Sequence, residues 1–466
     1  MSEMSKGSRK TRSRPRATAA LHIGSRLELF VDDCLIERMT GAEKRLNHPT
    51  LQEVVMVFDR PWEGNTSAYV TVFPDGVLFR MYYRGCDYSW ESKEITHSVV
   101  CYAESNDGTH WKRPELGLFE FQGSRRNNII WTGPGNHNFA PFKDGNPNCA
   151  ADARYKAVAS AEKGLLAYRS PDGIHWELMQ DDPIVTRGAF DSQNLAFWDG
   201  LKGRYVEYHR GWRDETRDIM TSTSEDFIHW SEPEYLDFGH VPREHLYTNA
   251  IAPYFRAPHI YLGFPKRFLP ERKKVAEHPL PGLSDGVLMS SRDGLHWDRW
   301  LEAFIRPGPQ RERWWERNNM TAWGILVTKP GIPGLPDELS LYSNESYYID
   351  GCRLRRHTLR MDGFVSAYAP YSGGEVLTRP FVFEGSRLVL NYSTSAAGSI
   401  RVEVADDKGR PMPGFEMSSC EEIYGDEVEH VVAWAPNRDL GSLAGKDVRL
   451  RFELKDADLY SFRFCA

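Results

Sequence analysis

Short segments of this 466-residue chain gather carboxylates, amides, cations and rings at the ends of apolar, β-rich runs. Ahead of such runs stand "PWEGNTSAY" with Glu63 and Asn65, "NHNFAPF" with His137 and Asn138, and "FDSQNLAF" with Asp191, Gln193 and Asn194. Two more are "REHLYTNAI" with Glu244, His245, Tyr247 and Asn249, and "WWERNNMTAW" with Glu316, Arg317 and Asn318. Behind the runs stand "YYRGCDYSW" with Arg84, "YHRGWRDETRD" with Arg210 and Trp212, "FPKRF" with Lys266 and Arg267, and "YSNESYY" with Glu345. Cleavage of a glycosidic bond uses these types: two carboxylates for acid and base or nucleophile roles, amides and cations for hydroxyls, rings for stacking.

Glu63 and Asp191 are the expected catalytic pair, with Glu244 or Glu345 as supporting or alternative acid. Asp191 and Gln193 stand two apart on a strand and point the same way. Asn65, Arg84, Asn138, Gln193, Asn194, Arg210, His245, Tyr247, Asn249, Arg267, Arg317 and Asn318 are the expected substrate-binding residues. Glu316, in a Trp- and Arg-rich stretch, reads as a member of a local ion pair. Arg84, Arg210 and the Lys266–Arg267 pair recur at one position, a cationic rim suited to uronate or sulfated sugars.

The elements that position these residues announce themselves by repetition. "SNDGTHW" (105–111), "SPDGIHW" (170–176), "SEDFIHW" (224–230) and "SRDGLHW" (291–297) are four copies of one seven-residue turn, spaced 65, 54 and 67 residues apart. Regular self-similarity of this kind marks a propeller or another repeat array. Each copy closes a block of two β-rich runs and a third strand, as in "YVTVFPDGVLFRMYYRG" followed by "HSVVCYAESNDGTHW". A fifth, degraded block, "WGILVTKPGIPGLPDELSLYSNE" then "RLRRHTLRMDGF", completes the set. The reading is a five-bladed β-propeller over 26–374, with "LELFVDDCLI" (27–36) supplying a strand to the last blade so that no edge is left bare. The repeat is therefore architectural: Ser and Asp bind turn backbone, Gly permits positive φ and Trp wedges between blades. His110, His175, His229 and His296 occupy one equivalent position each and cannot converge on a metal.

After Gly374 the alternating texture of "LTRPFVFEGSRLVLNYSTSAAGSIRVEVADDKG" and "KDVRLRFELKDADLYSFRFCA" predicts a separate β-sandwich over 375–466. The fold class expected is all-β throughout. The first 25 residues are basic and Ser-rich and read as a disordered tail.

Turns of the form S-x-D-[GLF]-x-x-W at the end of the third strand resemble the blades of the five-bladed propeller glycoside hydrolases of families 32 and 43. A β-sandwich after the propeller resembles the family 32 arrangement. The resemblance covers about residues 27–374 and implies a glycosidase fold. The W-x-N-D-P-N-G, R-D-P and E-C motifs of family 32 are absent, so no catalytic residue carries over. Sialidase propellers space their repeat one residue longer, with six blades.

Composition sets the remaining bounds. Hydrophobic residues at 41% and charged residues at 26% are those of a soluble globular protein, and 14 Trp suit both β-structure and sugar surfaces. A net charge of −7 gives no electrostatic case for nucleic acid, and no apolar run reaches membrane-spanning length. Seven scattered cysteines without C-x-x-C spacing, and no signal-peptide pattern, point to free thiols and a cytoplasmic location. No nucleotide fingerprint or metal-ligand spacing occurs, so no cofactor and no metal is expected. The expectation is a glycoside hydrolase acting on an oligo- or polysaccharide through paired carboxylates at the channel mouth. The alternatives are a non-catalytic carbohydrate-binding propeller and an interaction scaffold; oligomeric state is left open.

Overall fold

The computed structural model describes residues 20–436 and 439–466. Among them the regular structure is β apart from four three-residue 3-10 turns. The basic segment 1–19 lies outside the described residues; Leu21–Gly24, expected as the end of a tail, is a strand. The chain divides into two compact units, 45–366 and the combination of 20–44 with 367–466.

The larger unit holds five four-stranded antiparallel sheets in chain order. Sheet 1 is Ala68–Asp75, Leu78–Ser89, Glu94–Ser105 and Ile129–Trp131; sheet 2 is Ala140–Lys143, Tyr155–Ala161, Gly164–Ser170 and Glu177–Leu178. Sheet 3 is Leu195–Asp199, Arg204–Arg213, Thr216–Ser224 and Glu234–Tyr235; sheet 4 is Ala252–Tyr254, Ala257–Gly263, Met289–Ser291 and Trp297–Arg299. Sheet 5 takes Leu326–Thr328, Glu338–Glu345 and Arg353–Arg360 from its own stretch, and its fourth strand, Thr50–Val57, from the start of the unit. A small three-stranded sheet of His245–Leu246, Lys266–Leu269 and Leu283–Gly286 stands beside sheet 4.

Central strands are buried along both faces. Ala68–Val72, Met81–Cys86 and Val99–Ala103 are continuous buried runs, because each sheet is covered by a neighbour on either side. Sheets 1 and 5 meet through Thr71 and Trp323, whose backbones pair, so the last sheet returns to the first.

Segment 27–36, expected to complete the last blade, does not do so. Glu28–Leu29 pairs with Ser461–Phe462 and Ile36–Thr40 with Gly374–Thr378, all within the other unit. Thr50–Val57 carries out the closure against Arg353–Thr358. Both segments have strand composition, and which edge each one satisfies is settled by long-range pairing.

In the smaller unit Arg387–Asp406 and Val448–Cys465 pair along nearly their whole length, interrupted by an irregularity between Thr394 and Ser399. Leu21–Gly24 adds in parallel to Phe381–Phe383. Hydrogen bonds join its strands into one network around a core that includes Trp434, Phe452, Phe381 and Phe462. The expected boundary at 375 thus moves to 367, and residues 20–44 belong to this unit.

The four repeat turns share one hydrogen-bond pattern. Ser105 Oγ accepts the N–H of Gly108 at 2.9 Å, and Asp107 Oδ1 accepts those of Thr109 and His110 at 2.8 Å. His110 Nδ1 donates to Asp107 Oδ2 at 2.7 Å, and Trp111 Nε1 to the Gly108 carbonyl at 3.1 Å. The bonds recur within about 0.1 Å in the turns at Ser170, Ser224 and Ser291. The four histidines are surface groups whose ring nitrogen closes the turn.

Each turn docks on the adjacent sheet. The carbonyls of Gly173, Gly294 and Gly108 also accept the hydroxyls of Tyr82, Tyr208 and Tyr342, each from the middle strand of the preceding sheet. A Cβ on Gly173 or Gly294 would lie 2.6 or 2.7 Å from that hydroxyl, and all three glycines have φ near +80°. The remaining turn carries Phe227 instead, packed on Phe142 of the sheet it meets, and that sheet has Val158 at the equivalent register, in the same hydrophobic cluster as Phe227.

Candidate functional site

The amides ahead of the innermost strands are structural ties between sheets. Asn138 donates to the carbonyls of Phe190 and Ser192 and accepts from Ser160 N. Gln193 Oε1 accepts the N–H groups of Asn249 and Ala250 at 3.2 and 2.8 Å, and Asn249 donates back to the Gln193 and Tyr208 carbonyls. Asn194 caps Phe190 and Ser192, Asn318 binds Trp315 O and Tyr347 N, and Asn65 bonds both backbone groups of Tyr88. Irregular buried backbone must find partners, and these side chains provide them.

The carboxylates separate into two kinds. Glu63 is fully buried and accepts from Arg113 (2.8 and 3.0 Å), Tyr83 Oη (2.6 Å) and Arg60 N (3.1 Å), which leaves no face for a ligand. Glu345 is also fully buried, among Arg313, Arg353 and Arg355. Glu244 is held by Arg267 at 3.1 Å and Arg299 at 2.5 Å, in a cleft lined by Arg213, Pro242 and Arg243; Arg267 also clamps Asp285. Asp191 differs: its side chain is 71% exposed while one oxygen is bound by Arg210. The expected pairing of Glu63 with Asp191 has no counterpart in these contacts, since Glu63 is closed within its own ion pair.

The structure gathers instead a cluster around Tyr247. Lys266 Nζ lies 3.9 Å from the centre of this ring, Arg210 5.0 Å, Arg217 5.2 Å and Arg317 5.9 Å. Trp212, 47% exposed, is covered by Arg217 at 4.5 Å and stands edge-on to His245. Arg317 also lies over Tyr347 and Tyr348, and its Nε donates to Glu316 at 2.6 Å. Arg317 itself adopts φ +62°, a strained position for a side chain-bearing residue, fixed by this packing.

Next to this group Arg84 is buried over Tyr69 at 4.9 Å and donates to Tyr347 Oη at 2.8 Å and to His137 at 3.0 Å. Tyr69 Oη reaches the Asp191 carbonyl at 3.3 Å, which ties the two sets together. Burial and the adjacent Arg84 push the His137 imidazole down to about 3, so it is neutral and accepts from the guanidinium at neutral pH. Burial raises the Tyr69 and Tyr347 hydroxyls above their ordinary value, so both remain protonated donors. Burial, with Arg317, Arg217 and Arg210 nearby, depresses Lys266 well below the ordinary lysine value.

Of the expected binding residues, Arg84, Arg210, His245, Tyr247 and Arg317 come together here. Tyr69, Arg217 and Tyr347 join them and were not anticipated. Arg217 lies in the same "YHRGWRDETRD" segment as Arg210, and Tyr347 two residues past Glu345, so the segments were legible and the members were not.

No family model matches this chain, and no curated protein matches its sequence. Among solved structures it is similar to a glycoside hydrolase at 13% identity and a TM-score of 0.44, over 67% of this chain and 92% of the other. A second glycoside hydrolase is similar at 10% identity and a TM-score of 0.42, over 85% and 98%. An N-acetylgalactosamine deacetylase from F. plautii, solved with blood group B trisaccharide, is similar at 12% identity and a TM-score of 0.40, over 68% and 95%.

Proposed function

We propose that the five four-stranded sheets are the blades of one propeller, and that the chain is a carbohydrate-active enzyme, a glycoside hydrolase working at Tyr247. The observation that carries this reading is Asp191, a solvent-exposed carboxylate held by Arg210 beside exposed Trp212 and the Tyr247 ring. Glu316 is the second carboxylate of the pair: it is buried and held by Arg317, but unlike Glu63 it keeps one oxygen unpartnered, and the arginines that hold Asp191 and Glu316 both lie over Tyr247. One carboxyl protonates the glycosidic oxygen, and the other activates water or attacks the anomeric carbon. Trp212 supplies a stacking face, and the Tyr347 hydroxyl, which accepts from Arg84, keeps its own proton as a donor to a sugar oxygen.

The test is release of reducing ends from a panel of plant and algal polysaccharides by the wild-type chain, Asp191→Asn and Glu316→Gln. Loss of release in both variants, with folding intact, supports the assignment; full activity in both overturns it. A second reading, sugar binding without cleavage, is favoured by the burial of Glu63 and Glu345, which leaves few carboxylates at this place. Binding by calorimetry with no release across the panel selects it.

A further inference from the structure

The charges around Tyr247 do not balance. Four cations lie within 6 Å of one ring, and the carboxylates paired with them are Asp191 on Arg210 and Glu316 on Arg317. Arg217 and Lys266 have no carboxylate partner among the described residues. Arg217 Nη1 meets His245 Nδ1 at 3.4 Å, and its Nε has no hydrogen-bond partner. Lys266 is 0% exposed and its Nζ has none. Arg210 is likewise buried, and its Nε and Nη1 are unpartnered although Nη2 binds Asp191. Arg84 Nε is in the same condition.

A buried ammonium without an anion is expensive, and unpaired guanidinium N–H groups add their own desolvation cost. Like charges this close also repel. A fold that needed only packing at these positions would be served better by Met or Leu. An anion bound beside Arg217 and Arg317, the partly exposed members of the cluster, would compensate this arrangement. The unbalanced guanidinium charge and several free donors match a carboxylate or sulfate, whose oxygens accept from guanidinium forks.

We propose that the cations around Tyr247 form a subsite for the acidic group of an anionic sugar, a uronate carboxylate or a sulfate ester. This deepens the reading of the site as a carbohydrate site and rests on it. Arg217 and Arg317 meet the anion from the rim, Lys266 and Arg210 supply field from beneath, and Trp212 faces the ring that carries it. Tyr247 offers the electron-rich faces of its ring to these cations.

The test is calorimetry on the full chain with four probes: an oligogalacturonate, its methyl ester, a sulfated galactan oligomer and sodium sulfate. The same titrations are run on Lys266→Met and Arg217→Gln. At least one acidic oligomer is expected to bind tenfold or more tightly than the neutral ester, with the preference shrinking between about 50 and 500 mM salt, as the fall in screening length from about 14 to about 4 Å predicts. Both variants are expected to lose tenfold or more on that acidic probe, with a clearly smaller loss on the ester. Lys266→Met should also melt no lower than wild type, since it removes a buried unpaired cation; a purely structural lysine would lower it. Which acidic oligomer binds separates uronate from sulfate. Equal binding of acid and ester overturns the anionic subsite and leaves the sugar site standing. Sulfate binding that both variants weaken, with no oligomer bound, keeps the anion subsite and overturns the sugar reading. Silence from all four probes overturns both.

Discussion

The hydroxyl of Tyr208, on the middle strand of sheet 3, donates at 3.0 Å to the carbonyl of Gly294, in the repeat turn of sheet 4. The same carbonyl accepts Trp297 Nε1 from its own turn at 3.1 Å. One oxygen thus closes the turn and joins it to the neighbouring sheet. The repeated heptapeptide is the part that four of the five sheets offer to the sheet before them.

Tyr208→Phe removes one of two donors to that carbonyl and leaves it satisfied by Trp297. The expected cost is about 1 kcal/mol, near the net value of a buried hydrogen bond, read from urea denaturation. A loss above about 3 kcal/mol would mean that the tyrosine acts through packing as well.

Val158 and Phe227 stand at the positions of the same contact within one hydrophobic cluster and should be coupled. Phe227→Gly empties a packed site at a cost of about 3–5 kcal/mol, and Val158→Tyr crowds Phe227 at about 1–3 kcal/mol. Made together they recreate the tyrosine–glycine pair, so the double variant should be more stable than the sum predicts by about 1 kcal/mol or more. Strict additivity would show that the two residues do not share this contact.

The buried carboxylates and Asp191 should part company in their phenotypes. Glu345→Gln leaves Arg313, Arg353 and Arg355 without their anion, and Glu63→Gln strips Arg113; each should destabilise by about 3–5 kcal/mol. Asp191→Asn should abolish turnover and leave the melting temperature within a few degrees. A stable Glu63→Gln protein with no activity would return Glu63 to the reaction.

The repeat turns give the fold an acid limit. Hydrogen bonds from the backbone and from His175 or His296 overcome the opposing effect of burial and bring Asp172 and Asp293 down to about 2, from an unfolded value near 4. The folded chain holds these protons more weakly than the unfolded chain, so the stabilisation is complete above pH 4 and is lost as pH falls toward 2. Melting temperature should decline through this window, and Asp172→Asn should flatten the decline. An unchanged slope in the variant would place the acid sensitivity elsewhere.

Much of the fold was legible because the repeat is local chemistry. Ser, Asp, Gly and Trp at fixed spacing specify a turn whatever surrounds it, and the sheets follow from the runs between the turns. The closing strand was not legible. Segments 27–36 and 50–57 both have strand composition, and the difference lies in partners roughly 300 or more residues away, Phe462 for the first and Arg353–Thr358 for the second. The same holds for the site. Asn138, Gln193 and Asn249 have the residue types of a sugar-binding mouth, yet their amides are consumed by neighbouring backbone.

The sequence by itself determined the all-β class, the repeated turn, the segments that surround the site and the recurrence of cations among them. Those are properties of short stretches, set by side-chain type and by spacing along one strand or turn. Only the tertiary structure decided which strand closes the last sheet, that Glu63 and Glu345 are buried counter-ions, and that four cations meet on Tyr247. The reason is physical: whether a charge is paired, buried or free depends on what stands within a few ångströms of it. For Arg210, Arg217, Lys266 and Arg317 those neighbours come from strands and loops as much as 107 residues apart in the chain.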